Sequence, residues 1–426
     1  MKKSSLFSTL LIFSLLLLTP LGASGQRVYL DITAPEVRKI KIAVPWFTDR
    51  ATDRQDAKLG RQLADTLGRA LTFHGIIEIV ADDRPVSATT DWRGLGADYA
   101  VLGQYSSSAA EIALEIRLLD VSGDEVVMGK SFSGAESEKD KMLFKYCDSV
   151  VENLTGQPGI AESRIAFVSS SDRVKEVFLT DILGKNVRQV TRHKHLTVSP
   201  RFVPGSTLLT YSSYHSGNQN LYVTDLRQNK VTQVLSQRKG LNLAPAWSGD
   251  GRTMILTLST SGTPDLFLLD SRGEILEQLT DRSGINVSPT LSPDGNHLVF
   301  VSDRSGKPQL YSMDMRTRKV QRITFEGTEN AEPSWSPTED QIVFSSLRDG
   351  VYQLYTMNPL KNEAPRQLTS DLSHHEAPSW SPDGNQIIFA KRDGQNTSLY
   401  GILKNGSFQR RLFTLPGSQS YPQWSR

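Results

Sequence analysis

The chain has 426 residues, 38% hydrophobic and 22% charged, which suits two or three globular domains and excludes a disordered chain. Lys2 and Lys3 sit in an apparent leader, so the remaining chain carries 46 basic and 46 acidic side chains. That balance offers no excess charge for nucleic acid or an anionic membrane surface.

Residues 1–25 read as a secretory signal peptide. Lys2 and Lys3 precede an apolar run from Leu6 to Leu18, and Ala23-Ser24-Gly25 supplies the small residues of a cleavage site before Gln26. The run is short for a membrane span of about 20 residues.

Residues 26–155 show no repeat. Val28, Leu30 and Ile32 alternate with polar residues as in an edge strand, and Ile40 to Phe47 reads as a second strand. Leu59, Leu63, Leu67 and Leu71 place a helix over 56–73, and Ile76 to Val80 is a strand. Ala97 to Gly103 reads as a helix end entering a strand. A hairpin is expected around Ser122-Gly123-Asp124, between 112–119 and 125–132, followed by a helix over 139–154. Helices mixed with strands imply a small α/β domain. The lone Cys147 falls in that last helix and is expected to be a buried free thiol. Thr155 to Gly159 marks a linker, taken as 156–163.

Residues 164–426 are repetitive. Pro200, Pro245, Pro289, Pro333, Pro378 and Pro422 recur at steps of 44 or 45 residues, inside a phrase clearest as Ala377-Pro378-Ser379-Trp380-Ser381-Pro382-Asp383-Gly384. Each unit reads as four short strands joined by hairpin turns. Ser292-Pro293-Asp294-Gly295 and Ser381-Pro382-Asp383-Gly384 put Pro and Gly where a type I turn prefers them. The third strand carries an aromatic (Phe178, Tyr222, Phe267, Tyr311, Tyr355, Tyr400), assigned to packing between sheets. The fourth ends in a Gln/Arg, apolar, Thr pattern, as in Gln278-Leu279-Thr280. Four strands per repeat of this length predict a β-propeller. The first unit lacks its own first strand, and Pro422-Gln423-Trp424-Ser425 supplies one at the other end. The fold class expected is thus an α/β N-terminal domain plus an all-β six-bladed propeller closed by the C-terminal strand.

No catalytic constellation emerges. Gly-x-Ser-x-Gly, HExxH and P-loop motifs are missing, and Gly94-Leu95-Gly96 lacks the third glycine of a dinucleotide fingerprint. His193-Lys194-His195 and His374-His375 would hold a metal only if loops of different blades converged, and exposed loop residues are the favoured reading. Asp250, Asp294 and Asp383 have the spacing of turns and not of calcium ligands. No catalytic residue, metal ligand or cofactor is therefore assigned. One pattern remains. Three residues before each repeat proline stand Thr197, Asn242, Asn286, Asn330, His375 and Gln419, all polar. They either ring the channel mouth, where the loop from fourth to first strand opens, or cap turns.

The order of these pieces resembles the TolB family of the Gram-negative Tol-Pal cell-envelope system. The stretches that carry the resemblance are Arg27 to Ile32, Ile42 to Phe47, and Leu154-Thr155-Gly156 followed by Arg164 to Val168. The resemblance implies a monomeric periplasmic adaptor without enzymatic activity, attached to the envelope through its partners. It implies that the channel mouth receives a Pal-like peptidoglycan-associated lipoprotein, with the six polar residues, Glu332 and Glu376 as candidates. It implies that Gln26, Arg27, Val28, Tyr29, Leu30, Asp31, Ile32 and Thr33 engage a TolA-like inner-membrane-linked protein by adding to a sheet edge. Outer-membrane integrity and constriction at cell division would be the processes served. One departure is Gly240-Leu241-Asn242-Leu243, which is more apolar than the basic, His-containing version of some relatives. The competing class is an exported propeller enzyme, a lyase or a peptidase-like relative, with its active site in the channel.

Overall fold

A computed structural model describes residues 38–52, 58–80, 90–171, 174–228 and 230–425. The expected signal peptide and the strand Gln26–Thr33 lie outside the described residues.

The N-terminal part is a mixed sheet backed by two helices. Its elements are β1 (Ile40–Ala43), β2 (Thr48–Asp49), α1 (Lys58–Phe73), β3 (Ile77–Val80), β4 (Tyr99–Ser107), β5 (Glu111–Asp120), β6 (Glu125–Ala135) and α2 (Lys139–Thr155). The sheet order is β3-β1-β4-β5-β6, with β2 added to β4. β1 runs parallel to β3 and β4, and β4, β5 and β6 form an antiparallel meander. Leu63, Leu67 and Leu71 of α1 are buried, as their period requires. Cys147 is buried and unpaired in α2, and burial pushes its thiol well up.

The strand expected over Ile40 to Phe47 is interrupted, ending at Ala43 and resuming at Thr48. The interruption has a packing cause. α1 lies against this segment, Phe47 N donates to Gly60 O at 3.2 Å, and a Cβ on Gly60 would stand 2.2 Å from Phe47 O. The helix end expected before Tyr99 is instead a set of turns closed by Gly96 at φ +76°.

Six four-stranded antiparallel sheets follow as blades of a ring. Blade I joins the C-terminal strand Ser418–Trp424 to β7 (Arg164–Ser171), β8 (Val174–Asp181) and β9 (Arg188–Gln189). Gln419 pairs with Ser169 and Trp424 with Ile165, so the two ends of the repeat array close the ring. The inner strands of blades II to VI are Thr197–Phe202, Asn242–Trp247, Asn286–Leu291, Glu329–Trp335 and His374–Trp380.

Sequence motifs explain the blade interiors. Aromatics on the second and third strands stack as cross-strand pairs: Phe167 on Phe178, Tyr211 on Tyr222, Phe300 on Tyr311 and Phe344 on Tyr355, with centroids 5.9–6.0 Å apart. The fourth strand ends two residues before the threonine of its motif, and that threonine ties the blade together. Thr280 Oγ1 accepts from Leu266 N at 2.9 Å, and Thr324, Thr369 and Thr191 do the same for Leu310, Leu354 and Val177. The Gln two residues earlier donates to the carbonyl of that threonine, at 2.7–2.8 Å for Gln189, Gln278 and Gln367. In the turns, Gly295 N donates to Ser292 O at 2.9 Å and Asn296 N to Asp294 Oδ1 at 3.0 Å. Asp294 is thereby held below its usual carboxylate range by the Ser292 hydroxyl and the Asn296 N–H, the role of a turn residue.

The N-terminal domain docks on the face of the ring that carries these turns. Phe73, at the end of α1, packs edge-on against Trp424 with centroids 5.7 Å apart. Arg410 donates to Phe73 O at 2.5 Å and to Gln386 Oε1 at 2.6 Å, and Gln386 Nε2 reaches the same carbonyl at 3.1 Å. One buried cluster runs from Leu67 and Leu71 through Ile182 to Ile388, Leu399 and Trp424, so the interface is a continuation of the core. The opposite face, where the loops from fourth to first strand emerge, is covered by none of the described residues of the N-terminal domain.

Candidate functional site at the mouth of the channel

The inner strands enclose a channel of about 510 Å³, lined by Val198, Arg201, Leu243, Ser288, Glu332, Ala377, Tyr421 and the repeat prolines from Pro245 onward, among others. Each inner strand breaks register at its proline. In five blades the residue before that proline is left-handed: Ser199 (φ +54°), Ser288 (+52°), Glu332 (+53°), Ala377 (+52°) and Tyr421 (+49°). Such a conformation is costly for a non-glycine residue, and a following proline ordinarily favours extended backbone. The sequence gives no sign of it, because none of these residues is Gly or Asn.

The six polar residues before the prolines do form a ring, and the structure places their side chains inside the protein. None is more than 1% exposed. Asn242 Nδ2 donates to the carbonyls of Gln219, Arg238 and Gly240, and its Oδ1 accepts from Ser236 and Arg238. Asn286 Nδ2 reaches Asp265 Oδ1 at 3.0 Å and Gly284 O at 2.9 Å. Asn330 reaches Gln309 Oε1 and Glu326 O, both at 2.8 Å, and Gln419 reaches Pro416 O and Gly417 O. Thr197 Oγ1 lies 3.2 Å from Ser213 Oγ. His375 is fully buried, and Asp371 Oδ2 lies 3.5 Å from its Nε2. These side chains shape the loops at the mouth, and the surface there belongs to other residues.

Glu332 and Glu376 are also engaged. Glu332 Oε2 accepts from Ala377 N at 2.6 Å and from Ser345 Oγ, joining blade V to blade VI. Burial and the Glu376 carboxylate raise its pKa. Glu376 pairs with Arg392 at 3.2 Å.

What the mouth does expose is a set of large apolar tips, one from each of four loops: Leu196, Ile285, Phe325 and Leu372, the last two 70% and 93% exposed. Exposed Arg192, Lys194, Lys239 and Arg282 stand in the same set of loops. Isolated exposed apolar residues carry little meaning, whereas these four recur in corresponding loops of four blades. A search for polar residues passes over them. Their signal is positional, a lone apolar residue in each polar loop a few residues before the inner strand.

Among the described residues one close grouping of metal-type ligands lies elsewhere, at the domain junction: His74, Cys147 and Asp148. There His74 Nδ1 lies 3.0 Å from Ala70 O, and Nε2 accepts from Ile160 N at 3.1 Å. Asp148 accepts from Ala161 N and Glu162 N. With both imidazole nitrogens occupied, the group serves as a clamp holding the linker to both helices. No helix of the described residues is long and apolar enough to cross a membrane.

Comparison with known proteins agrees with this architecture. A family model described as the TolB beta propeller domain matches residues 151–426, and one described as the TolB amino-terminal domain matches 28–127. The chain is 60% identical over 424 residues to the Tol-Pal system protein TolB of Desulfotalea psychrophila, covering 98% of this chain and 97% of that protein. It is 35% identical over 282 residues to the Tol-Pal system protein TolB of Desulfosudis oleivorans, covering 63% of this chain and 64% of that one. The crystal structure of TolB from Acinetobacter baumannii superposes with a TM-score of 0.80 at 25% identity, covering 93% of this chain and 99% of that one.

Proposed function

The chain belongs to the TolB family, and from that membership we propose that it is a non-enzymatic periplasmic adaptor of the Tol-Pal system. The observation that carries the reading is 60% identity over 98% of the chain to a Tol-Pal protein. The channel mouth receives a Pal-like lipoprotein, with Leu196, Ile285, Phe325 and Leu372 as its apolar contacts and the basic loop residues as its rim. The six buried polar residues and Glu332 act indirectly, by setting the loops and the channel wall. Residues 26–33 engage a TolA-like domain by strand addition. The channel carboxylate Glu332 is committed to Ala377 and Ser345, and the neighbouring Glu376 to Arg392, which supports an adaptor over an enzyme.

Binding of the mature chain to a Pal-like lipoprotein in envelope extracts tests the reading. Phe325→Glu with Leu372→Glu alters only exposed loop tips, so capture should fall at least about tenfold, the loss of roughly 1.4 kcal/mol or more, while the melting temperature holds. Undiminished capture would remove the mouth from the reading. Deletion of residues 26–33 should abolish binding to a TolA-like domain and leave Pal capture measurable; persistent TolA binding would refute the strand assignment.

A further inference from the structure

Beside the channel, on the same face of the ring, the loop that enters blade II and the hairpin loop within that blade meet over an aromatic floor. The rings of His193 and His215 lie 4.1 Å apart at 48°. Both stand over Tyr222, at 5.6 and 4.7 Å, and His193 stands 5.7 Å from Tyr211. Blades IV, V and VI place a cation at the corresponding spot: Arg304 over Tyr311, Arg348 over Tyr355 and Lys391 over Tyr400. Blade II substitutes two imidazoles for that cation.

The two rings have the polarity of ligands. His193 Nδ1 lies 2.8 Å from Ser213 Oγ, which orients the ring and leaves Nε2 for another partner. Thr197 Oγ1 in turn lies 3.2 Å from that serine hydroxyl, giving the imidazole a supported neighbour. His215 is exposed. Burial and the proximity of His215 lower the pKa of His193 against the opposing pull of the Glu176 carboxylate. Beside the rings opens a groove of about 680 Å³ that includes Asn218, Asn220, Gln237 and Lys239, with room for water ligands.

We propose that His193 and His215 form a binding site for a borderline transition-metal dication such as Zn²⁺ or Cu²⁺, held by the two imidazoles and completed by water. Paired imidazole nitrogens favour these ions over Ca²⁺ or Mg²⁺, which take oxygen ligands. Rings this close can direct one nitrogen each at a shared ion about 2.0–2.1 Å away after a small side-chain rotation. The site is distinct from the apolar tips invoked for lipoprotein capture and does not rest on that reading.

The test is calorimetric titration of the untagged mature chain with ZnCl₂ at pH 7.5, repeated with His215→Gln, His193→Gln and Cys147→Ser. One saturable site is expected. It should weaken at least about tenfold in each histidine variant, weaken in Ser213→Ala through loss of orientation, and persist in Cys147→Ser and in excess Ca²⁺. His215 is exposed, so His215→Gln should melt as the parent does. Affinity unchanged by His215→Gln, loss of binding in Cys147→Ser, or no saturation below about 1 mM would each overturn the proposal.

Discussion

Thr280 donates its hydroxyl to Asp265 at 2.7 Å while accepting from Leu266 N at 2.9 Å, and Asp265 also accepts from Asn286 at 3.0 Å. A residue just past the fourth strand, a third-strand residue and the first residue of the next blade's inner strand thus share one buried network. Thr280→Val keeps the shape and removes the hydroxyl, leaving Leu266 N–H buried without a partner. The expected loss is about 1–3 kcal/mol, read as a lower denaturation midpoint, and Thr280→Ser should recover most of it. An unchanged midpoint in Thr280→Val would show that these networks contribute nothing net.

The same position in blade VI holds His375, fully buried, whose pKa is lowered by burial against the opposing pull of Asp371. The sign follows from linkage. A histidine whose folded pKa lies below its unfolded value of about 6.5 stabilises the fold fully above that value and progressively less as pH falls beneath it. Asp371 does not share this window. Partial burial raises it, but the Lys391 ammonium at 2.7 Å and the Ser373 N–H hold it down to about 2, so its contribution is fully present above the unfolded value of 3.8 and is lost as pH falls from there through about 2. Melting temperature should therefore drop between pH 7 and pH 5, and His375→Asn should flatten the drop. An identical pH profile in the variant would place the sensitivity elsewhere.

Arg410 adds a polar tie to the apolar core that docks the two domains. Its guanidinium is buried between the rings of Phe73 and Phe408, which lowers its pKa to about 10, and it reaches Phe73 O and Gln386. Arg410→Met keeps the apolar stem and removes the donors. Docking should weaken by about 1–3 kcal/mol, with both domains still folded. Limited proteolysis reads this directly, as faster cleavage at Gln157–Gly159 with two stable fragments. Unchanged cleavage would assign docking to the apolar core around Trp424 alone.

The period of the six prolines, the Gln/Arg-apolar-Thr motif of four blades and the offset ends of the repeat array made the propeller legible, because each records a backbone requirement of the repeated blade or of its closure. The aromatic of each third strand was readable as packing for the same reason. The mouth was legible in position but not in exposure. Asn286 or Gln419 can face solvent or turn inward to loop carbonyls, and only the path of the loop decides. His215 escaped notice because it stands 22 residues from His193 and meets it only when two loops fold over Tyr222.

The left-handed residues before the prolines were equally unreadable, and they make a sharp test in blade VI. Ala377 sits at φ +52° with its N–H on Glu332, a conformation costing an alanine roughly 1–2 kcal/mol. Glycine adopts it without strain, though its unfolded chain loses more entropy, by about 0.5–1 kcal/mol. Ala377→Gly should therefore be neutral or stabilising by up to about 1 kcal/mol. Ala390, on the adjacent strand Gln386–Asp393 and opposite Glu376, is buried in regular strand backbone. There the same exchange relieves nothing and removes a buried methyl, so Ala390→Gly should destabilise by about 1–2 kcal/mol. Two identical substitutions on neighbouring strands are thus expected to differ in sign. Equal destabilisation by both would mean that the strain at the channel wall is not present in solution.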